Sequence, residues 1–397
     1  MSRLTGSAQT TDAPNVILDM DSVRYRAGEV ANKDQKVPVG TAQSVEGKFG
    51  KAVQFSFTGG LGAGFLMGSV PATAEWDRTE GFSFYVKGDG STNWGGLELI
   101  DKADYGLRYG YCFPLESTEW RKVVVRWSDL TPELAAPLVD AQRGYAPSHF
   151  GNLWFGKWFY WREYPAHSFA IDQVVLEEKI PAEVGKATWE PGLTRVQAKL
   201  KARQPITVVT MGDSLSDKRH WANQQTLWSE ALVRGLTAQC GSSVKLINPA
   251  IGGTTLSQNI VLMPRWLREA PSPDLVTVWF GFNDWDSGVR GERFKEYLRL
   301  AVERIRRQTR GSADVLLLTT NPAFSRWDTM KEMEQAARAV AQEQRTGLVD
   351  IAAEFRKAGS PEQALQQAYW AWDKTHLGTN GHQLVATTLI KALYATP

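Results

Sequence analysis

Cysteine is nearly absent from this sequence: two residues, Cys112 and Cys240, occur in 397. They fall in stretches of different character, which argues against a structural disulfide, and their number excludes a cysteine-based metal site. No uninterrupted apolar run approaches the roughly 20 residues that cross a bilayer. Charge of one sign is also missing. The 45 lysines and arginines exceed the 43 aspartates and glutamates by two, so nothing in the balance selects nucleic acid or an anionic membrane as partner. The chain has no Walker loop, no His-Glu-x-x-His pair and no Gly-x-Ser-x-Gly elbow. Residues Met1 to Pro14 are polar and small and contain no apolar leader core. That leaves two locations open: the cytoplasm, or an exported protein whose leader has been removed. What the chain does have is tryptophan, 16 residues of it. Rings that stack on sugars and a tryptophan-rich core explain such an excess equally well.

At this length two domains are expected. From about Asn15 to residue 180 the chain reads as short strands and turns. The strands are Ala52–Phe57, Gly81–Lys87, Leu97–Ile100, Tyr109–Phe113, Trp120–Trp127 and Ser168–Leu176, with turn clusters such as Lys87-Gly88-Asp89-Gly90-Ser91 between them. That spacing predicts an antiparallel sandwich. The run Gly59 to Gly64 lacks the spacing of a dinucleotide loop and reads as a hairpin. A linker is expected over 181–192 and a second domain over 193–397. There the apolar strands Ile206–Met211, Val244–Asn248, Leu275–Phe280, Val315–Thr320 and Leu348–Ile351 alternate with helical segments. The helices fall near Leu193–Arg203, Thr226–Gln239, Phe294–Gln308, Met330–Gln344, Pro361–Trp370 and Gly381–Tyr394. Apolar strands joined by helices predict a parallel sheet covered on both faces.

Four short motifs sit at the ends of these strands or before the last helix. Ile206–Met211 runs into Gly212-Asp213-Ser214-Leu215-Ser216-Asp217, which presents a serine where open parallel sheets bind ligands. Asn248-Pro249-Ala250-Ile251-Gly252-Gly253-Thr254-Thr255 follows the next strand, and a glycine there lets a backbone N–H approach an oxyanion. Gly281-Phe282-Asn283-Asp284 places an amide at the end of the third. Asp373-Lys374-Thr375-His376 spaces a carboxylate and an imidazole three apart, so that one can orient the other. Each motif alone is as readily a turn, a cap or a loop.

Taken in order, Ser, Gly, Asn and Asp-x-x-His resemble the SGNH or GDSL hydrolases over about Ile206 to Pro397. The resemblance implies an α/β flavodoxin-like three-layer domain. It makes Ser214 the nucleophile, His376 the base and then acid, and Asp373 the residue that orients His376. Ser214, Gly253 and Asn283 would form the oxyanion hole, with Gly253 preferred over Gly252 by alignment with the family's second block. His220, Trp221 and Trp285 flank these motifs and are candidates to line the cleft, while His382 is expected to cap or pack the last helix.

The first half resembles a β-jelly-roll carbohydrate-binding module, on Gly81–Gly90, Tyr109–Leu115, Glu119–Asp129 and Phe169–Leu176. Trp154, Trp158, Tyr160 and Trp161 are its expected exposed platform. Such modules often hold a structural calcium, to which Asp19 or Asp172 would contribute, although no ligand cluster is visible; no cofactor is expected. Together the two resemblances imply a bacterial carbohydrate esterase that releases O-acetyl groups from a polysaccharide such as acetylated xylan. It would be secreted or periplasmic, with an acylated carbohydrate as its partner rather than nucleic acid or membrane. One alternative is an esterase of small or lipid esters with a purely structural β domain. The other is a non-catalytic carbohydrate-binding protein, against which the intact triad argues.

Overall fold

The computed structural model describes residues 15–394, apart from 22–23, 28, 33–34, 39, 60–63, 71, 135, 141–144, 158–165 and 182–187. The chain divides into two compact units, one made of residues 1–132 and 136–182, the other of 133–135 and 183–397.

The first unit contains two six-stranded antiparallel sheets. One runs in the order Arg121–Arg126, Gly81–Gly88, His167–Glu177, Lys51–Phe57 and Gly40–Glu46, with Val16–Leu18 paired to His167–Glu177. The other runs Thr131–Pro132, Arg108–Pro114, Trp94–Asp101, Phe150–Lys157, Gly64–Ser69 and Arg26–Ala27. Alternate residues from both sheets make one core, in which Phe84 meets Phe113 and Phe155, and Phe169 meets Phe55 and Phe113, at ring separations of 5.2–5.6 Å. This is the antiparallel sandwich that the strand rhythm predicted, consistent with the jelly roll that the resemblance implied. The strand expected over Leu97–Ile100 begins earlier, at Trp94. Within it Gly95 lies under Phe113, whose ring would be 2.3 Å from a Cβ there.

Alternation also decides the expected aromatic platform. Leu153 and Phe155 point into the core, so Trp154 faces the other way, but it is not exposed. The ring of Tyr105 at 5.3 Å and the guanidinium of Arg108 at 5.5 Å cover it, and it is buried. Trp158, Tyr160 and Trp161 lie outside the described residues, as does most of the Gly59–Gly64 run. Asp172 is buried and accepts hydrogen bonds from the Lys48 and Phe49 N–H groups at 2.7 and 2.8 Å, while Asp19 accepts from Asp21 N–H at 3.0 Å. Among the described residues no group of three or more acidic, His or Cys side chains is arranged to hold a metal. Cys112 is buried.

The second unit is built on a five-stranded, all-parallel sheet in the order Val244–Ile247, Ile206–Gly212, Leu275–Trp279, Asp314–Leu318, Gly347–Val349. Successive side chains of each strand enter different layers. Val209, Met211, Val276 and Val278 pack with helices Leu256–Val261, Gly291–Gln308 and Lys331–Gln344. Ile206, Val208, Leu275 and Trp279 pack with Thr194–Lys201, Trp228–Cys240 and Thr379–Tyr394. Burial on both faces is why these strands read as unbroken apolar runs. The helix expected over Pro361–Trp370 ends at Gln366 instead. Ala368 turns to φ +55°, and Trp370 leaves to bridge Leu377 and donate its indole N–H to the Pro322 carbonyl. The short helices Leu256–Val261, Met263–Glu269, Phe282–Asp286 and Ile351–Arg356 were not expected, because six or so residues cannot display a helical period.

Candidate active site

The strand Ile206–Gly212 delivers the chain at its carboxyl end into a tight turn. Ser216 folds back so closely that a Cβ on Gly212 would stand 2.5 Å from its hydroxyl, which is the physical demand for glycine there. The turn is held by side-chain amides: Asn223 donates to the carbonyls of Ser214 and Asp217 at 2.6 and 2.7 Å, and Asn248 to that of Ser216 at 2.8 Å. The Trp228 indole N–H adds a bond to the Ser216 hydroxyl at 3.2 Å. Four well-fixed bonds leave Ser214 little freedom, and it is 9% exposed.

Ser214, His376 and Asp373 come together. Ser214 Oγ lies 2.9 Å from His376 Nε2, and His376 Nδ1 lies 2.5 Å from Asp373 Oδ2. The other carboxylate oxygen accepts the backbone N–H groups of Thr375 and His376 at 3.2 and 3.1 Å, so the carboxylate also shapes the turn that carries the imidazole. Burial pushes the Asp373 carboxyl up, but the His376 ring and these two N–H groups outweigh it and hold it below the usual range. The loop closes on itself through Ala371 N–H to the His376 carbonyl at 2.7 Å, with Lys374 at φ +60°.

Two neighbouring glycines are separated by their hydrogen bonds. The Gly252 N–H donates to Asp217 Oδ2 at 2.9 Å, and a Cβ there would stand 3.5 Å from that of Ser214. Gly253 has φ +78°, which favours glycine, and no acceptor takes its N–H among the described residues. Asn283 is the second residue of the short helix Phe282–Asp286, which follows Gly281 at φ +137°. Its amide donates to Asp213 Oδ2 at 3.2 Å and to the Thr254 carbonyl at 3.0 Å, which links three of the four motifs. Complete burial pushes the Asp213 carboxyl up to about 7.

Of the flanking candidates, His220 stacks on His376 with ring centres 4.1 Å apart, and Trp221 meets His376 edge-on at 5.8 Å. Burial, and then the charge of His376, lower the His220 pKa. Trp285 is not brought to the triad; its ring carries the guanidinium groups of Arg290 and Arg326, each at 4.5 Å, and packs against the core. Asp284, the last residue of the third motif, is buried, where it accepts the Leu256 N–H at 2.9 Å. Residues that immediately follow a strand end can turn inward as easily as outward. His382 is buried and accepts the Trp228 N–H at the start of the Trp228–Cys240 helix, 3.3 Å away. Sequence reasoning missed Asn223 and Asn248, which carry no spacing signal, and Trp372, which is adjacent to Asp373 and stacks on Trp221 at 5.1 Å.

The sequence model of the GDSL-like Lipase/Acylhydrolase family matches residues 210–384. Those residues are a GDSL-like acylhydrolase domain. No curated protein matches the chain. An acetyl xylan esterase from Geobacillus stearothermophilus is similar at 21% identity, over 48% of this chain and 96% of its own, with a TM-score of 0.39. A lipase/acylhydrolase from Enterococcus faecalis is similar at 20% identity, over 48% and 95%, with a TM-score of 0.39. A family 11 carbohydrate-binding module from Clostridium thermocellum is similar at 19%, over 41% and 95%, with a TM-score of 0.33. Residues 210–384 contain a serine, a histidine and an aspartate in one hydrogen-bonded chain.

Proposed function

We propose that the hydrolase domain is a serine esterase that removes short acyl groups, acetyl foremost, from a hydroxylated, carbohydrate-like alcohol. The single observation that carries the reading is the chain from Ser214 Oγ through His376 to Asp373, at 2.9 and 2.5 Å. A serine hydroxyl is a poor nucleophile until an adjacent base takes its proton. His376 Nε2 takes it as Oγ attacks the ester carbonyl, and Asp373 keeps the proton of Nδ1 in place, fixing the tautomer. The carbonyl oxygen becomes an oxyanion, received by the N–H groups of Ser214 and Gly253 and by the Asn283 amide. Gly253 rather than Gly252 suits this role because the Gly252 N–H is already given to Asp217. Asn283 meets the oxyanion by exchanging one of its two present acceptors for it. His376 then protonates the departing alcohol oxygen, leaving an acyl-Ser214 ester. A water that gives its proton to His376 releases the acid and restores Ser214.

The short-acyl, polar-alcohol part of the reading rests on the charged side chains that flank the motifs in the chain. Arg219 pairs with Asp217 through Nε and one Nη, each at 3.0 Å, Lys218 pairs with Glu230, and Arg326 pairs with Asp286 at 2.8 Å. Charged pairs of this kind offer little continuous apolar surface to an acyl chain. Each buried methylene is worth about 0.8 kcal/mol, so an enzyme built for long chains gains specificity with chain length. The test is a panel of p-nitrophenyl esters from acetyl to octanoyl, followed by acetate release from acetylated xylan, with the Ser214→Ala protein as the blank. The expected result is kcat/KM highest for acetyl and falling steeply by hexanoyl, with acetate released from the glycan. A maximum at octanoyl without acetate release overturns the reading.

A further inference from the structure

The loop that carries Asp373 begins with two tryptophans placed oppositely. Trp370 is 3% exposed, while Trp372, two residues later, is 80% exposed, the most exposed large apolar side chain among the described residues. Its stacking partner is Trp221, with ring centres 5.1 Å apart and planes 27° apart, and Trp221 in turn lies edge-on to His376 at 5.8 Å. We infer that Trp372 and Trp221 form the subsite for the alcohol part of the ester, which lays a sugar ring against the indole surface.

The inference rests on the esterase reading above and extends it to one side of the site. In that mechanism His376 hands its proton to the departing oxygen, so the alcohol must lie on the His376 side of the scissile bond. The carbonyl oxygen points instead to Gly253 and Asn283. The indole pair flanks His376, where the alcohol has to be. The aromatic face carries partial negative charge, which the C–H groups of a pyranose complement. The pair is also too small for a lipid surface: its remaining ring contacts are with His220 and His376, both polar. A side chain kept for packing would be buried, as Trp370 is. The backbone around Trp372 is fixed, by Ala371 N–H to the His376 carbonyl at 2.7 Å and Phe324 N–H to the Lys374 carbonyl at 3.0 Å. An indole on a fixed loop is presented to ligand with little ordering left to do on binding.

The experiment compares wild type, Trp372→Ala and Trp372→Phe on acetylated xylo-oligosaccharides and on methyl acetate, whose alcohol cannot reach the indoles. The ratio of kcat/KM between the two substrates should fall about tenfold in Trp372→Ala, chiefly through KM for the oligosaccharide, and recover in large part in Trp372→Phe. An unchanged ratio in a Trp372→Ala protein, when wild type does deacetylate the oligosaccharide, overturns this inference and leaves the esterase reading intact. Wild type that hydrolyses methyl acetate but no acetylated oligosaccharide overturns the carbohydrate reading and this subsite with it. A Trp372→Ala protein that changes its sedimentation coefficient and loses both activities equally would show that the indoles meet a second copy of the chain, which also overturns the subsite.

Discussion

Replacing Asp373 with asparagine exchanges one oxygen of the site for an NH2 group, and the geometry around the carboxylate sets the consequence. Asp373 Oδ2 accepts from His376 Nδ1 at 2.5 Å, and Oδ1 accepts the backbone N–H groups of Thr375 and His376. An asparagine can keep its carbonyl oxygen on those two N–H groups, so the turn survives. Its NH2 then faces Nδ1, which must become the acceptor, and the ring proton moves to Nε2. A protonated Nε2 cannot take the Ser214 proton across 2.9 Å. The expected loss in kcat is about 10⁴, or about 5.5 kcal/mol of barrier, the scale seen when a triad imidazole is held in the wrong tautomer. Initial rates on p-nitrophenyl acetate with a melting curve by circular dichroism make the measurement. An Asp373→Asn protein that melts like wild type and keeps more than a tenth of its activity would refute the reasoning. The carboxyl is held below the usual range, so it stays ionised at any pH above that range. Its contribution to stability is present above the unfolded pKa and is lost only as pH falls through the folded one.

Asn283→Ala should lower kcat by about 10²–10³ with little change in KM, because the amide is needed by the oxyanion more than by the substrate; steady-state kinetics on p-nitrophenyl acetate decide it. His382 offers a pH test. Burial lowers its pKa from 6.5 to about 4, so the folded protein excludes a proton that the unfolded chain accepts. The stability this provides is complete above pH 6.5 and disappears towards pH 4, a loss of about 3 kcal/mol from this one group. Buried Asp213 and Asp284, both pushed up to about 7, act in the opposite sense, so the comparison has to be differential. Urea unfolding of wild type and His382→Gln at both pH values should show the smaller acid loss in the variant; equal losses would mean that His382 is not the neutral residue described.

What the sequence determined by itself was the architecture and the order of the chemical groups. A period-two rhythm up to residue 180 can bury itself only as a sandwich, and apolar strands alternating with helices only as a covered parallel sheet. Ser214 and Asn283 were legible because strand ends in such a sheet lie on one edge, and His376 because a carboxylate stands three residues before it, ahead of the last helix. Tertiary structure decided everything that depends on which way a side chain turns. Asp284 and Asp286 are two residues apart in one motif, yet the first is buried under the Leu256 N–H and the second pairs with Arg326 at the surface. Gly252 differs from Gly253 because its N–H is taken by Asp217, 35 residues away in the chain. The tryptophan excess had two readings in composition, and the fold divides the rings between two settings. Trp76, Trp127, Trp228 and Trp279 are core, while Trp221 and Trp372 meet solvent beside His376. Residue type records that a ring is large and apolar. Only the packing around it sets whether that surface is covered by the protein or left for something else.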